Sequence, residues 1–282
     1  MFLFSTKAEL QAYLQTFRQS NQAVGLVPTM GAIHNGHLSL MKQSLDQNDC
    51  TVVSIFVNPT QFNNAEDLEK YPRTLDRDME IIKSLSDKIV VFAPSVEEMY
   101  EGKAEAAIFD FDGLEHEMEG ASRPGHFDGV GTIVKKLFEL VMPNRAYFGE
   151  KDFQQLQIIK KMVEKEAIPV EIIGVQIFRA IDGLAMSSRN ERVSDNGLEK
   201  ATFLYQTLKE AKELFQTEEI QKVNQFVENQ FKNNSNFDLE YFTIADEQTL
   251  KTATIKEAGH LYRGFIVAHI EGVRLIDNLS FN

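Results

Sequence analysis

The sequence contains a single cysteine, Cys50, in 282 residues, so an intramolecular disulfide is excluded. Cys50 borders the apolar run 51–57, where a packed thiol is expected rather than a reactive one. Long apolar runs are also absent, because no stretch approaches the ~18 uninterrupted apolar residues of a membrane-spanning helix. The N-terminal residues resemble neither a signal peptide nor an anchor. These absences predict a protein of the reducing cytoplasm with no membrane partner.

Positive charge is the minority sign: 29 lysines and arginines stand against 42 aspartates and glutamates, a formal net charge of −13. This balance opposes nonspecific attraction to a nucleic-acid backbone, so no nucleic-acid partner is expected. An anionic ligand would need positive groups that are gathered locally. Hydrophobic residues make up 43% of the chain and charged residues 25%, which is typical of a folded globular protein.

Several familiar signatures are missing. Neither a G-x-x-x-x-G-K-[ST] P-loop nor a G-x-G-x-x-G fingerprint occurs, which disfavours Walker-type phosphotransferases and dinucleotide enzymes. No cysteine and histidine spacing typical of zinc occurs either, and we assign no metal ligand among the protein residues. A magnesium ion that arrives with a nucleotide needs few protein ligands and would leave almost no mark on the sequence.

Strand-like and helix-like segments alternate up to about residue 175. A capping box over Thr6–Glu9 opens the first helix. Apolar runs and helical periodicity predict strands over 24–27, 51–57, 89–92, 146–148 and 170–175, and helices up to 20, after 36, and over 75–85, 128–141 and 153–166. Such alternation indicates an α/β fold with a doubly wound, Rossmann-like parallel sheet, which we assign to residues 1–175 as an N-terminal domain.

The pattern changes after about residue 176. Two polar helices over about 195–215 and 219–231 precede strand-like segments near 239–244 and 265–270. This order indicates a smaller α+β C-terminal domain over residues 176–282.

The first motif loop is His34-Asn35-Gly36-His37, at a predicted helix N-terminus that follows a strand. The free N–H groups and the dipole of such a terminus favour an anion, and Gly36 would let a phosphate approach the backbone. Either histidine alone is better explained as a helix cap or a satisfied surface residue. The pair with its glycine instead favours phosphate binding.

Two more motif loops follow predicted strands, where sheets of this kind bind ligands. The loop 58–62 presents Gln61, whose amide suits a hydroxy acid, although an ordinary Asn-Pro turn explains this stretch equally well. After Gly149, Lys151 lies near a helix start, where a bound anion explains a lysine better than helix stability does. The alternative is a solvated lysine paired with Glu150 or Asp152.

Two stretches are less specific. Residues 186–190 concentrate two hydroxyls and a guanidinium, groups that can bind phosphate oxygens, and a simple polar loop is the alternative. Residues 119–127 form a Gly- and Pro-punctuated loop ahead of a helix. Spacing does not decide whether this loop covers a cleft or forms a dimer contact.

The motifs occur in the order PTMGxxHxGH, FVNPxQF, EGxSRPGHFxGV, GEKDxQQL and SSRN. In this order they resemble the pantothenate synthetase (pantoate–β-alanine ligase) family of the HxGH nucleotidylyl-transferase superfamily, with Thr60 where that family often has Met. The resemblance implies that pantoate attacks the α-phosphorus of ATP, giving pantoyl adenylate and pyrophosphate. The amine of β-alanine then attacks the acyl carbon and releases AMP. The resemblance further implies that Mg²⁺ accompanies the nucleotide, that the protein is a homodimer, and that the C-terminal domain acts as a lid.

The resemblance also implies roles for residues. His37 would donate a proton to the departing pyrophosphate, with His34 and Lys151 as further catalytic residues. Gln61 and Gln155 would bind pantoate, and Gln61 would also contact β-alanine. The implied ATP site comprises Met30, Gly31, Ala32, Ile33, His34, Asn35, Gly36, His37, Gly149, Glu150, Lys151, Asp152, Phe178 through its backbone, Met186, Ser187, Ser188 and Arg189.

Two other functions stay open at this point. Another HxGH nucleotidylyl transferase would join a nucleotide to a phosphorylated acceptor, which explains the two histidines but not the pair Gln61 and Gln155. A nucleotide-sensing module would bind ATP without turnover.

Overall fold

A computed structural model describes residues 1–282, which divide into two compact units, 1–176 and 177–282. The first unit contains a six-stranded parallel sheet with the order β1-β4-β3-β2-β5-β6. Its strands are β1 (Phe2–Phe4), β2 (Val24–Thr29), β3 (Cys50–Ile55), β4 (Val90–Phe92), β5 (Arg145–Gly149) and β6 (Glu171–Val175). All strand pairs are parallel, so the carboxyl ends of all six strands lie along one edge of the sheet.

Eight helices accompany this sheet and confirm the α/β prediction. They are α1 (Lys7–Gln19), α2 (Asn35–Gln47), α3 (Ala65–Lys70), α4 (Leu75–Leu85), α5 (Val96–Tyr100), α6 (Met118–Ser122), α7 (His126–Val141) and α8 (Phe153–Lys165). From β2 the chain adds β3 and β4 on one side and then returns to add β5 and β6 on the other. Sheets of this type bind ligands where the strand order reverses, which here is between β2 and β5.

The core of the sheet follows from a row of valines. Val27 of β2 is in register with Val53 of β3, and Val53 is in register with Val91 of β4. All three side chains are fully buried, and burial of one valine contributes about 1.5–3 kcal/mol. Cys50 is buried at the start of β3, and burial together with Asp49 raises its pKa to about 12. The prediction of a packed thiol is therefore confirmed.

Local sequence signals predicted the long elements well. The elements that the sequence analysis missed depend on pairing between distant segments. Thr6 caps α1 by accepting the N–H of Glu9, as the capping box predicts. Strand β1 was not predicted, because it has only three residues and exists through pairing with β4, with Leu3 opposite Val91. The strand predicted over 51–57 ends at Ile55.

The second unit is the smaller α+β unit that the sequence predicted. It consists of α9 (Asp195–Thr217), α10 (Ile220–Lys232), β7 (Asp238–Asp246), β8 (Tyr262–Ile270) and β9 (Val273–Ser280). The three strands form an antiparallel sheet in the order β7-β8-β9, and β9 had not been predicted. Helices and sheet share a core that includes Leu208, Val223 and Ile266. In neither unit does any helix combine the length and the apolarity that crossing a membrane requires.

Candidate active site

The turn between β2 and α2 has an unusual backbone. Gly31 and Ala32 both adopt positive φ, +84° and +50°, and for alanine this left-handed conformation costs about 1 kcal/mol. Asp78 of α4 compensates, because its carboxylate accepts the N–H of Ala32 at 3.0 Å and that of Ile33 at 2.8 Å. Asp78 is almost completely buried. A side chain from another helix therefore holds the turn that leads into the two histidines.

The two histidines use one ring nitrogen each to organise the start of α2. Nδ1 of His34 accepts the N–H of Gly36 at 3.1 Å, and Nδ1 of His37 accepts the N–H of His34 at 3.3 Å. Each ring therefore carries its proton on Nε2, the atom that is not used for capping. The rings stack with their centroids 4.0 Å apart. His34 is thus a helix cap, as the first alternative proposed, and each ring has an N–H group at Nε2.

His37 is held in its uncharged form. Burial lowers the pKa of His37 well below its usual value, and the neighbouring His34 ring and Lys151 ammonium lower it further. Because β2 and β5 pair in parallel, with Leu26 opposite Ala146, their motif loops leave the sheet side by side. At neutral pH, His37 is a hydrogen-bond donor through Nε2.

The loop after β3 presents Gln61 with a defined amide orientation. Nδ2 of Asn58 donates to the carbonyl oxygen of Gly129 at 3.0 Å, and because a carbonyl only accepts, this contact fixes the Asn58 amide. The same Nδ2 donates to Oε1 of Gln61 at 3.2 Å, which turns the Gln61 NH₂ group toward Sδ of Met30, 3.0 Å away. Gln61 therefore presents a donor beside the loop that leaves β2.

The first turn of α8, which follows β5, contains two neighbouring glutamines with different environments. Gln154 is buried, and its amide donates to the carbonyls of Leu114 and Glu117 and accepts the N–H of Glu119. Gln155 is half-buried and has no hydrogen bond within the chain, so its amide is available to a ligand. Lys151, with only 16% of its side chain exposed, lies 4.0 Å from Asp152. The pairing with Asp152 that the alternative expected is therefore present, but Lys151 is mostly buried rather than solvated.

The stretch 119–127 is not the continuous loop that the sequence predicted. Residues Met118–Ser122 form α6, and α7 begins already at His126, so the irregular part is short. Positive φ at Met118 and Gly125 marks the two sharp changes of direction. His126 is buried, and its contact with the carbonyl of Gln61 joins this stretch to the loop after β3.

The second unit carries the remaining predicted ATP residues. Met186 donates its N–H to the carbonyl of Phe178 at 3.1 Å, which closes a hairpin. Ser187 caps the 3₁₀ turn Ser188–Arg192 by accepting the N–H of Arg189 at 3.2 Å. Arg179 binds Asp277 with two hydrogen bonds of 2.7 and 2.9 Å and anchors this hairpin.

Comparison with known proteins identifies the family. The model of the pantoate-β-alanine ligase family matches residues 2–280. A pantothenate synthetase from Flavobacterium psychrophilum is 56% identical over 99% of both chains. The chain belongs to the pantoate-β-alanine ligase family.

Solved structures agree with this family assignment. A pantoate-β-alanine ligase (pantothenate synthetase) from Thermus thermophilus has a TM-score of 0.90 and 42% identity, covering 100% of this chain and 99% of its own. The pantoate-β-alanine ligase of Francisella tularensis, complexed with β-γ ATP and β-alanine, has a TM-score of 0.79 and 34% identity, with coverage of 100% and 98%. The predictions of an α/β fold and of an ATP-using ligase are confirmed.

In this pantoate-β-alanine ligase the first unit brings together the sequence-predicted residues 30–37, 61, 149–152 and 155 at the carboxyl ends of β2, β3 and β5. Phe178 and the run 186–189 lie in the second unit. Sequence reasoning missed Asp78 and His126. The sequence offered only an aspartate within a predicted helix and a histidine after Pro-Gly as signals, and neither reveals which loop the side chain contacts.

Proposed function

We propose that this chain joins pantoate to β-alanine through pantoyl adenylate, and that the reaction occurs at the carboxyl ends of β3, β2 and β5. One observation carries the proposal: three loops with complementary chemistry leave three neighbouring parallel strands. The loop after β2 has two Nε2–H donors, the loop after β5 has an ammonium, and the loop after β3 has an amide donor. Phosphates and a hydroxy acid need these groups.

The first step is served by charge stabilisation. When pantoate displaces pyrophosphate, negative charge develops on phosphoryl oxygens, and preorganised donors lower the barrier. His34, His37 and Lys151, together with the N-terminus of α2, supply such donors. No acyl-enzyme nucleophile is required, because the adenylate is itself the activated acyl group.

His37 has a specific part in this step. Its neutral ring would donate a hydrogen bond from Nε2 to the polyphosphate. The negative charge of a bound nucleotide raises the pKa of an adjacent imidazole, which would prepare His37 to protonate the departing pyrophosphate. This role combines the lowered pKa of His37 in the protein alone with the proton donation that the family resemblance implies.

The glutamines serve the acid substrate. The NH₂ group of Gln61 is oriented by Asn58 and would donate to an oxygen of pantoate and later to β-alanine. The carbonyl oxygen and the NH₂ group of the Gln155 amide form no hydrogen bond within the chain, and the amide would complete the pantoate site.

ATP enters as its magnesium complex. The chain contains no group of three or more histidine, cysteine, aspartate or glutamate side chains that could hold a metal ion. A magnesium ion held by phosphate oxygens needs few protein ligands, so the nucleotide itself would bring it. The Francisella tularensis relative, whose structure contains β-γ ATP and β-alanine, supports both substrates.

Several assignments remain proposals from the resemblance. They are contacts of Phe178 and residues 186–189 with ATP, the lid role of the C-terminal domain, a homodimer, and residence in the cytoplasm. Sedimentation that shows only monomer would contradict the homodimer.

The deciding experiment measures AMP release from ATP, pantoate and Mg²⁺, with and without β-alanine. Continuous AMP formation that requires all three substrates establishes the ligase. Pyrophosphate release without AMP would instead indicate a nucleotidylyl transferase that uses another acceptor, and ATP binding without turnover would indicate a sensor.

The matching variant is His37→Ala. It should abolish adenylate formation while its circular dichroism and unfolding temperature show a folded protein. Turnover close to that of the unmodified chain would contradict the assigned role of His37.

A further inference from the structure

Arg123 and His126 are outside the residues assigned to the reaction, yet both contact the backbone of Gln61, which is proposed to bind substrate. Nδ1 of His126 lies 2.8 Å from the carbonyl oxygen of Gln61, and Nε2 lies 3.2 Å from Nη1 of Arg123. A carbonyl only accepts and a guanidinium only donates. The proton of His126 is therefore on Nδ1, and the ring donates to Gln61 while it accepts from Arg123.

This arrangement requires an uncharged ring, and the surroundings provide one. His126 is only 7% exposed, and burial together with the Arg123 guanidinium lowers the pKa of His126 to about 4. At neutral pH the ring therefore keeps one donor and one acceptor, which match its two partners. A protonated ring would point a second N–H at Arg123.

Other contacts dock the same loop onto α7. Nη2 of Arg123 also reaches the Gln61 carbonyl at 3.4 Å, and Asn58 donates to the carbonyl of Gly129. Gly129 is needed for this approach, because a Cβ there would lie 2.3 Å from the carbonyl oxygen of Thr60. The turn Pro59–Gln61 therefore lies directly on the first turns of α7.

We propose that His126 is the positioning residue for Gln61: it holds the Gln61 carbonyl so that the side-chain amide meets the hydroxy acid and the amine substrate. The inference rests on the proposed function, in which Gln61 binds pantoate and β-alanine. Its physical basis is that the backbone carbonyl and the amide belong to one residue, so a shift of one displaces the other. Displacements of about 1 Å at binding groups have large kinetic effects.

The consequence is selective for two of the three substrates. The ATP-binding histidines are held by their own backbone contacts and by Asp78, none of which involves His126. Loss of the His126 donor should therefore raise KM for pantoate and for β-alanine about tenfold, the equivalent of one hydrogen bond, and leave KM for ATP within about twofold.

The experiment compares two amide replacements of similar polarity. In His126→Asn, the amide nitrogen falls near the position of Nδ1 and keeps the donor to the Gln61 carbonyl. In His126→Gln, the amide falls near Nε2, so this donor is lost while a partner for Arg123 remains. Steady-state AMP formation gives the three KM values for each variant, and His116→Asn is the control, because that histidine is 79% exposed.

We expect KM for pantoate and β-alanine to rise in His126→Gln and to stay near the original values in His126→Asn. A double variant with Gln61→Ala should show no further effect of His126→Gln, since the positioned amide is gone. Equal behaviour of the Asn and Gln variants, or parallel changes in all three KM values, would overturn the inference. An unmodified chain without β-alanine-dependent AMP formation would instead overturn the proposed function and this inference with it.

Discussion

The carboxylate of Asp78 accepts the backbone N–H of Ile33 at 2.8 Å, across 45 residues of sequence. With the second bond to Ala32, this contact fixes the backbone immediately before His34. The geometry of the candidate phosphate site therefore depends on α4, an element that carries none of the sequence motifs. Removal of a buried acceptor of this kind is costly, because the N–H groups that lose it cannot form hydrogen bonds with water instead.

Asp78→Asn should lower the free energy of unfolding by about 2 kcal/mol, because one accepting oxygen becomes an NH₂ group that faces a backbone N–H. It should also raise KM for ATP more than KM for pantoate. Urea unfolding and AMP-release kinetics measure the two effects. The control is Asp76→Asn, an exposed position on the same helix, and similar losses in both variants would contradict the role of Asp78.

The adjacent residues Gln154 and Gln155 should respond differently to the same change. Gln155→Ala should raise KM for pantoate more than KM for ATP, with little loss of stability, because its amide makes no hydrogen bond within the chain. Gln154→Ala removes three hydrogen bonds to backbone groups, of which the one to the Leu114 carbonyl is fully buried, and should cost about 3 kcal/mol of unfolding free energy. The reverse pattern in kinetics and urea unfolding would show that the pantoate site is misplaced.

His126 should make stability depend on pH. The ring takes up a proton near pH 6.5 when the chain is unfolded but only near pH 4 when it is folded. Between these values the unfolded state binds more protons, so its stability relative to the native state rises as the pH falls. The contribution of His126 to native stability is therefore fully present above pH 6.5 and is lost as the pH falls toward 4.

His126→Asn should reduce the loss of unfolding free energy between pH 7 and pH 5 by about 1–2 kcal/mol. Urea unfolding at the two pH values is the measurement. His37 acts in the same direction, so part of the dependence will remain. His116→Asn, at an exposed position, should keep the full dependence, and an unchanged dependence in His126→Asn would be contrary to this account.

The second unit should depend on its buried ion pair. Asp277→Asn removes the charge opposite Arg179, which also stacks 3.9 Å from the centre of the Tyr205 ring, and should destabilise the protein by about 3 kcal/mol. The exposed pair Arg145 and Glu171 is the comparison, and Glu171→Gln should cost less than about 1 kcal/mol. Thermal unfolding of both variants checks the difference, and equal shifts would show that burial is not decisive.

The elements that local sequence predicts best are those with strong periodicity. The helix expected over 75–85 is α4 with the same limits, since its apolar spacing and its first-turn acids are local features. The short helix α6 was missed, because Gly120, Pro124 and Gly125 indicate a turn. At Gly120 a Cβ would lie 1.9 Å from the carbonyl oxygen of Glu115, so a close tertiary approach explains this glycine.

The sequence by itself determined the family, the α/β alternation and the set of candidate site residues, because motif order, periodicity and capping are properties of neighbouring residues. Only the tertiary structure decided which other side chains hold these site residues in position. Asp78 with Ile33, Asn58 with Gly129 and His126 with Gln61 are contacts between residues 45, 71 and 65 positions apart. Such pairings arise from the way strands and helices pack, and no local pattern records them.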